Sequence, residues 1–181
     1  FLDWYVPQET GRPVTEAARR TFLALWADLA DRLAAAERSW VLFDAQSANL
    51  FWLPERRSVA RVGIIDFQDM FVGPSAYDVA SLCQDARVTV PEALERDLSA
   101  HYCGLRLARG PGFSREGFAQ AYAIAGAARA IKNAGVFSRL AVAGKINYVN
   151  HLPRMREYLG RLFREPVLSS LALWYDENLT S

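Results

Sequence analysis

Phe43-Asp44-Ala45-Gln46-Ser47-Ala48-Asn49-Leu50 and Val62-Gly63-Ile64-Ile65-Asp66-Phe67-Gln68-Asp69 are the two strings on which the fold of this chain turns. Each sets oxygen-bearing side chains at the edge of an apolar, β-prone run. Trp40-Val41-Leu42-Phe43 ends at Asp44, Asn49 opens Leu50-Phe51-Trp52-Leu53, and Arg61-Val62-Gly63-Ile64-Ile65 ends at Asp66. Pro54-Glu55-Arg56-Arg57-Ser58 is turn-like, so the last two runs read as an antiparallel hairpin. With the turn centred near Arg57, paired residue numbers sum to about 115, and Asn49 faces Asp66 at the ~4.5–5.5 Å spacing of a cross-strand pair.

An amide oxygen and a carboxylate so placed suit a hard divalent cation, and Mg²⁺ commonly takes one or two carboxylates plus substrate phosphates. Asp44, five positions before Asn49, returns to the same edge through a tight loop. A second carboxylate there takes a proton from a hydroxyl nucleophile. Metal on the phosphates of ATP and a base beside the acceptor are the parts of a phosphotransferase. Taken singly, Asp44 and Asn49 are better explained as turn formers; the pairing of Asn49 with Asp66, together with the family resemblance given below, is what points to a metal.

Outside this block the chain reads as helical. Phe1 to Pro13 is aromatic, and its breakers Pro7, Gly11 and Pro13 predict an extended segment. Ala18, Phe22, Leu25, Trp26, Leu29 and Leu33 recur at three- and four-residue steps, predicting a core-facing helix from about Thr15 to Ala36 with Thr15 as N-cap. Helices are also predicted from Ala76, over Pro91 to Tyr102, from Ser114 to about Gly135, over Leu152 to Phe163 and over Pro166 to Asn178. Val136 to Ala143 either continues the helix that starts at Ser114 or starts another. The expected fold is mainly α (α+β), one lobe over residues 1–181 with a small antiparallel β-hairpin at its catalytic edge.

Composition narrows the class. The 181 residues are 51% hydrophobic and 23% charged, ordinary for a folded soluble domain and unlike a disordered chain. Lys and Arg number 21 against 20 Asp and Glu, so no strong charge drives broad nucleic-acid binding. The apolar run near Ala121 to Ala128 is too short to cross a bilayer, and no signal peptide opens the chain. Cys83 and Cys103 read as buried free thiols in a reducing, cytoplasmic setting. The chain starts at Phe1 without Met, the expectation being a piece of something longer.

The two quoted strings, with Gly73-Pro74-Ser75-Ala76-Tyr77-Asp78-Val79-Ala80-Ser81-Leu82, resemble the aminoglycoside phosphotransferase superfamily. Within it, Asp66-Phe67-Gln68-Asp69, the Gly-Pro-x-x-Tyr-Asp string and Gln84-Asp85-Ala86-Arg87 are most similar to bacterial kinases of the anomeric hydroxyl of N-acetylmuramate and N-acetylglucosamine. The resemblance covers nearly the whole chain but only the family's C-terminal lobe, that of a protein-kinase-like fold. It implies Asp44 as catalytic base and Asn49 and Asp66 as Mg²⁺ ligands for bound ATP. It also implies Asp78 as the carboxylate that anchors the catalytic loop, Gln68 and Asp69 beside the metal, and Asp85 and Arg129 in the sugar pocket. Relatives usually carry His or Arg before the base and His two positions after it. Phe43 and Gln46 stand there, the first removing a polar contact, the second unable to titrate.

No glycine-rich phosphate loop precedes Trp40, and no strand carries a Lys for the phosphates. An N-terminal nucleotide-binding lobe absent from this chain, or a fused domain, is therefore expected. A small-molecule amino sugar is the expected partner, with neither nucleic acid nor membrane. Two other readings stand: a catalytically degenerate lobe that binds a sugar or a partner, and a kinase of aminoglycosides or choline-like amines. The second needs an acidic pocket, and Glu92, Glu95, Asp97 and Glu116 form no obvious cluster in the sequence.

Overall fold

A computed structural model describes residues 1–110 and 112–179. Among them are seven α-helices and two separate two-stranded antiparallel sheets. This is the mainly α lobe with a small hairpin expected of the C-terminal half of a protein-kinase-like fold. The chain divides into two compact units, one of Phe1–Ala35 with the residues from Ala123 onward, the other of Ala36–Tyr122. No helix of the described residues is long and apolar enough to cross a membrane.

In the first unit, α2 spans Glu16–Ala34, and Thr15 caps it by accepting the Ala18 N–H at 3.2 Å. The predicted stripe is the sheltered face: Phe22 and Leu29 are buried, and Ala18, Leu25, Trp26 and Leu33 are half-buried. Helix α7 (Ser169–Leu179) packs on that face. The Phe22 and Trp174 rings lie 4.7 Å apart, and the Trp174 indole N–H donates to the Ala18 carbonyl at 2.9 Å. The opening segment departs from expectation. Tyr5–Thr10 is a helix, α1, closed by Gly11 at φ 71°. Pro7 falls in its first turn, where a missing N–H costs nothing, and Gly11 takes the left-handed position that ends helices. Both breakers thus punctuate a helix that buries Tyr5 and Val6.

Helix α5 runs unbroken from Arg115 to Val142, so Val136 onward continues it. A Cβ on Gly135 would stand 2.4 Å from the backbone nitrogen of Phe1. Gly135→Ala gains helix propensity but must push the chain apart there. We expect a net loss of about 2 kcal/mol, read as a lowered urea midpoint with an unchanged slope.

The second unit carries the sheets. Strand β1 (Arg38–Val41) pairs with β4 (Phe71–Pro74), and β2 (Leu50–Trp52) pairs with β3 (Val62–Ile64). Strand β4 ends in Gly73-Pro74, a dipeptide that more often marks a turn. Pro74 is tolerated as the strand's last residue at the edge of a two-stranded ribbon, where no further strand needs its N–H. Trp40 and Trp52 project outward, 68% and 66% exposed, rather than packing in a core. Helix α3 (Ala76–Cys83) follows β4, and α4 (Glu92–Leu107) packs beside it. Pro91 is the residue before α4, and the helix outruns the predicted end at Tyr102. Glu95 ties these helices together by accepting from Gln84 at 2.6 Å and from the Tyr122 hydroxyl at 2.8 Å. Cys83 and Cys103 are buried and free, and burial next to the Glu95 charge pushes the Cys83 thiol up to about 11.

Candidate active site

The strands deliver one loop, from Leu42 to Asn49, and one strand end, Ile65 to Asp66. Between β1 and β2 the backbone first turns at Phe43, which sits at φ 73°. An aromatic residue in the left-handed region is strained and needs its surroundings to hold it. Tyr77 stacks on the Phe43 ring at 5.8 Å, nearly parallel, and Phe71 meets it edge-on at 6.1 Å. The Asp78 carboxylate accepts the backbone N–H groups of Leu42 at 2.6 Å and Phe43 at 3.2 Å. An aromatic stack over an acid thus holds this corner.

The far side of the loop is held by a second acid. Asp85 is 1% exposed and accepts backbone N–H groups from Ser47 at 2.7 Å, Arg87 at 2.6 Å and Val88 at 3.2 Å. Burial opposes its charge, but those N–H groups outweigh burial and hold the carboxyl below its usual range. Those three bonds tie it to the backbone on both sides of the loop's far end. A signal for this lay in the sequence. Asp85 falls just past the C-terminus of α3, where the helix dipole disfavours an anion, so a specific partner is required.

Between these anchors Asp44 is half-buried, and its carboxylate makes no hydrogen bond or ion pair among the described residues. Asn49 is 8% exposed; its Nδ2 donates to the Asp44 carbonyl at 3.0 Å and to the Asp66 carboxylate at 3.3 Å. The hairpin register is one residue off the expected one. Leu50 pairs with Ile64, and the Ile65 N–H donates to the Asn49 carbonyl at 3.1 Å, so Asn49 stands opposite Ile65. A one-residue slip would ordinarily turn Asp66 to the wrong face. Asp66 escapes this by leaving the pleat at φ 61°, which lets its carboxylate reach Asn49 regardless. Gln68 donates to the other Asp66 oxygen at 2.8 Å, and Asp69 is exposed nearby in the chain. Gln46, whose N–H donates to the Asp44 carbonyl at 2.9 Å, accepts from the Arg87 guanidinium through its side chain.

Asp44, Asn49, Asp66 and Gln68 thus meet, with Asp78 and Asp85 as braces. Arg129 lies on α5, 9% exposed, in the unit of Phe1–Ala35 and the residues from Ala123 onward. The pair Asn49 and Asp66 suits Mg²⁺ in kind. Both Nδ2 hydrogens of Asn49 are engaged, which leaves its Oδ1 as the amide atom open to a cation, beside a hard carboxylate. Among the described residues no three His, Cys, Asp or Glu side chains cluster at metal-binding spacing. That is no obstacle for an ion that keeps waters and phosphate oxygens as its other ligands.

Residues 1–117 match the phosphotransferase enzyme family. The chain is 34% identical over 177 residues to an N-acetylmuramate/N-acetylglucosamine kinase of Caulobacter vibrioides, covering 97% of this chain and 47% of that protein. Kinases of the same name from Pseudomonas putida and Neisseria meningitidis are 31% and 32% identical, over 94% and 91% of this chain and 50% and 48% of their own. The chain therefore spans about half the length of the curated relatives it matches.

Proposed function

This chain belongs to the phosphotransferase enzyme family, and we propose that it is the acceptor- and metal-binding half of an ATP-dependent kinase of N-acetylmuramate and N-acetylglucosamine. The observation that carries the reading is the convergence of Asn49 and Asp66 within 3.3 Å, on the loop that presents an unencumbered Asp44 carboxylate. In this reading Asp44 orients the sugar hydroxyl and takes its proton as phosphate is transferred. Asn49 Oδ1 and the Asp66 carboxylate hold Mg²⁺, and Gln68 fixes the rotamer of Asp66. Bound Mg²⁺·ATP supplies the phosphoryl group and neutralises its charge. Asp78 and Asp85 set the loop's position from its two ends. Asp69 lies on the metal side, and Arg129 is kept as an acceptor contact on the family resemblance.

Phe43 and Gln46 do not argue for a dead site, since each is built into the loop by a specific partner, Tyr77 and Arg87. The reaction is that of a cytoplasmic enzyme of cell-wall recycling. The test is transfer of the ATP γ-phosphate by the whole protein, with an aminoglycoside and choline as comparison acceptors. Turnover of both sugars, abolished by chelation and restored by Mg²⁺, is expected. Transfer to the amines alone, or to no acceptor, would overturn the reading.

A further inference from the structure

The string Gln84-Asp85-Ala86-Arg87 leaves one residue without a task. Asp85 fixes the backbone of Arg87 by accepting its N–H at 2.6 Å, yet the Arg87 side chain is exposed. Its guanidinium donates to Gln46 Oε1, two positions from Asp44 on the same loop. One of five N–H donors is used there. Among the described residues no carboxylate comes within ion-pair distance of it. The result is a positive fork tethered to the loop that carries Asp44, with most of its donors open.

The chemistry around it makes that charge useful. Asp44, Asp66 and Asp69 render this edge acidic, which repels an anionic acceptor. N-acetylmuramate is such an acceptor, because it carries a lactyl carboxylate that N-acetylglucosamine lacks. A guanidinium matches a carboxylate with two parallel hydrogen bonds, which a lone ammonium does not. We propose that Arg87 is the specificity-determining residue that receives the carboxylate of N-acetylmuramate. This rests on the sugar-kinase reading above and names which part of the acceptor the loop recognises. Gln46 then acts as the positioning residue that aims the fork.

The experiment compares kcat/KM for the two sugars in the whole protein, its Arg87→Gln variant and its Arg87→Lys variant. A charge-assisted pair is lost in Arg87→Gln, so the N-acetylmuramate to N-acetylglucosamine ratio should fall about 30-fold, through KM rather than kcat. Arg87→Lys keeps the charge without the fork and should recover part of the ratio. The methyl ester of N-acetylmuramate removes the charge from the other side. The unaltered protein should lose about the same 30-fold on the ester, and Arg87→Gln should lose nothing further. An equal loss on both sugars, no loss, or full activity of the unaltered protein on the ester would overturn the assignment while leaving the kinase standing. Failure of the unaltered protein to phosphorylate either sugar would instead bring down the reading it rests on, and the assignment with it.

Discussion

Asp44→Asn should cut phosphate transfer by the whole protein about 10³-fold while leaving its melting temperature unchanged. Asn keeps the size of the side chain and an oxygen that can accept a hydrogen bond. It cannot take up a proton, and loss of a positioned general base costs on the order of 10²–10⁴ in rate. The Asp44 side chain braces nothing among the described residues. What the loop needs from this position is its carbonyl, which accepts from Asn49 and from the Gln46 N–H, and the substitution leaves that intact. The loss should therefore fall on kcat, with KM for Mg²⁺·ATP within about twofold. Initial rates and a thermal melt on the same preparation separate chemistry from folding. A variant that turns over at the parent's rate would remove Asp44 from the chemistry.

Asp85→Asn should be the reverse case, a large loss of stability outside the reacting atoms. The carboxylate accepts three backbone N–H groups while only 1% exposed. An amide in its place offers one acceptor oxygen and turns an N–H₂ toward donors. Leaving such groups unpaired in the interior costs about 3 kcal/mol. The pH dependence has a definite sign. Because the folded carboxyl sits below its usual range, the unfolded chain binds the proton more readily. The stabilisation is whole above the ordinary carboxylate pKa of about 3.9 and disappears as pH falls through the folded value. Urea titrations of the two proteins should thus differ most near neutrality and converge in acid. A gap that stays constant down to pH 3 would mean that the substitution acts through packing instead of charge.

The sequence made some of this legible and hid the rest for physical reasons. The stripe of α2 was plain because helical burial repeats every three to four residues over a long segment. The hairpin was plain too, but its register was not. The Ser58–Arg61 stretch forms a 3₁₀ turn with Ser58 at φ 53°, and this uses residues differently from a simple turn. Asn49 and Asp66 still meet because a left-handed residue, not strand alternation, aims the carboxylate. That conformation has no pattern in a single sequence. Strand β4 and helix α1 were hidden by Gly73-Pro74 and by Pro7, which act as breakers only in the interior of an element. The reach of Asp85 was only half legible: its place past the end of α3 called for a partner, but nothing local names the Ser47 N–H some forty residues earlier in the chain.

One consequence of the bracing is mechanical. Asp78 lies in the first turn of α3 and Asp85 just beyond its last, and the two grip opposite ends of the loop between β1 and β2. The loop is a tray carried by both handles on a single rod. Movement of the rod slides the tray without tipping it, so the angle at which Asp44 meets its target survives jostling that would disorder a segment pinned at one end alone.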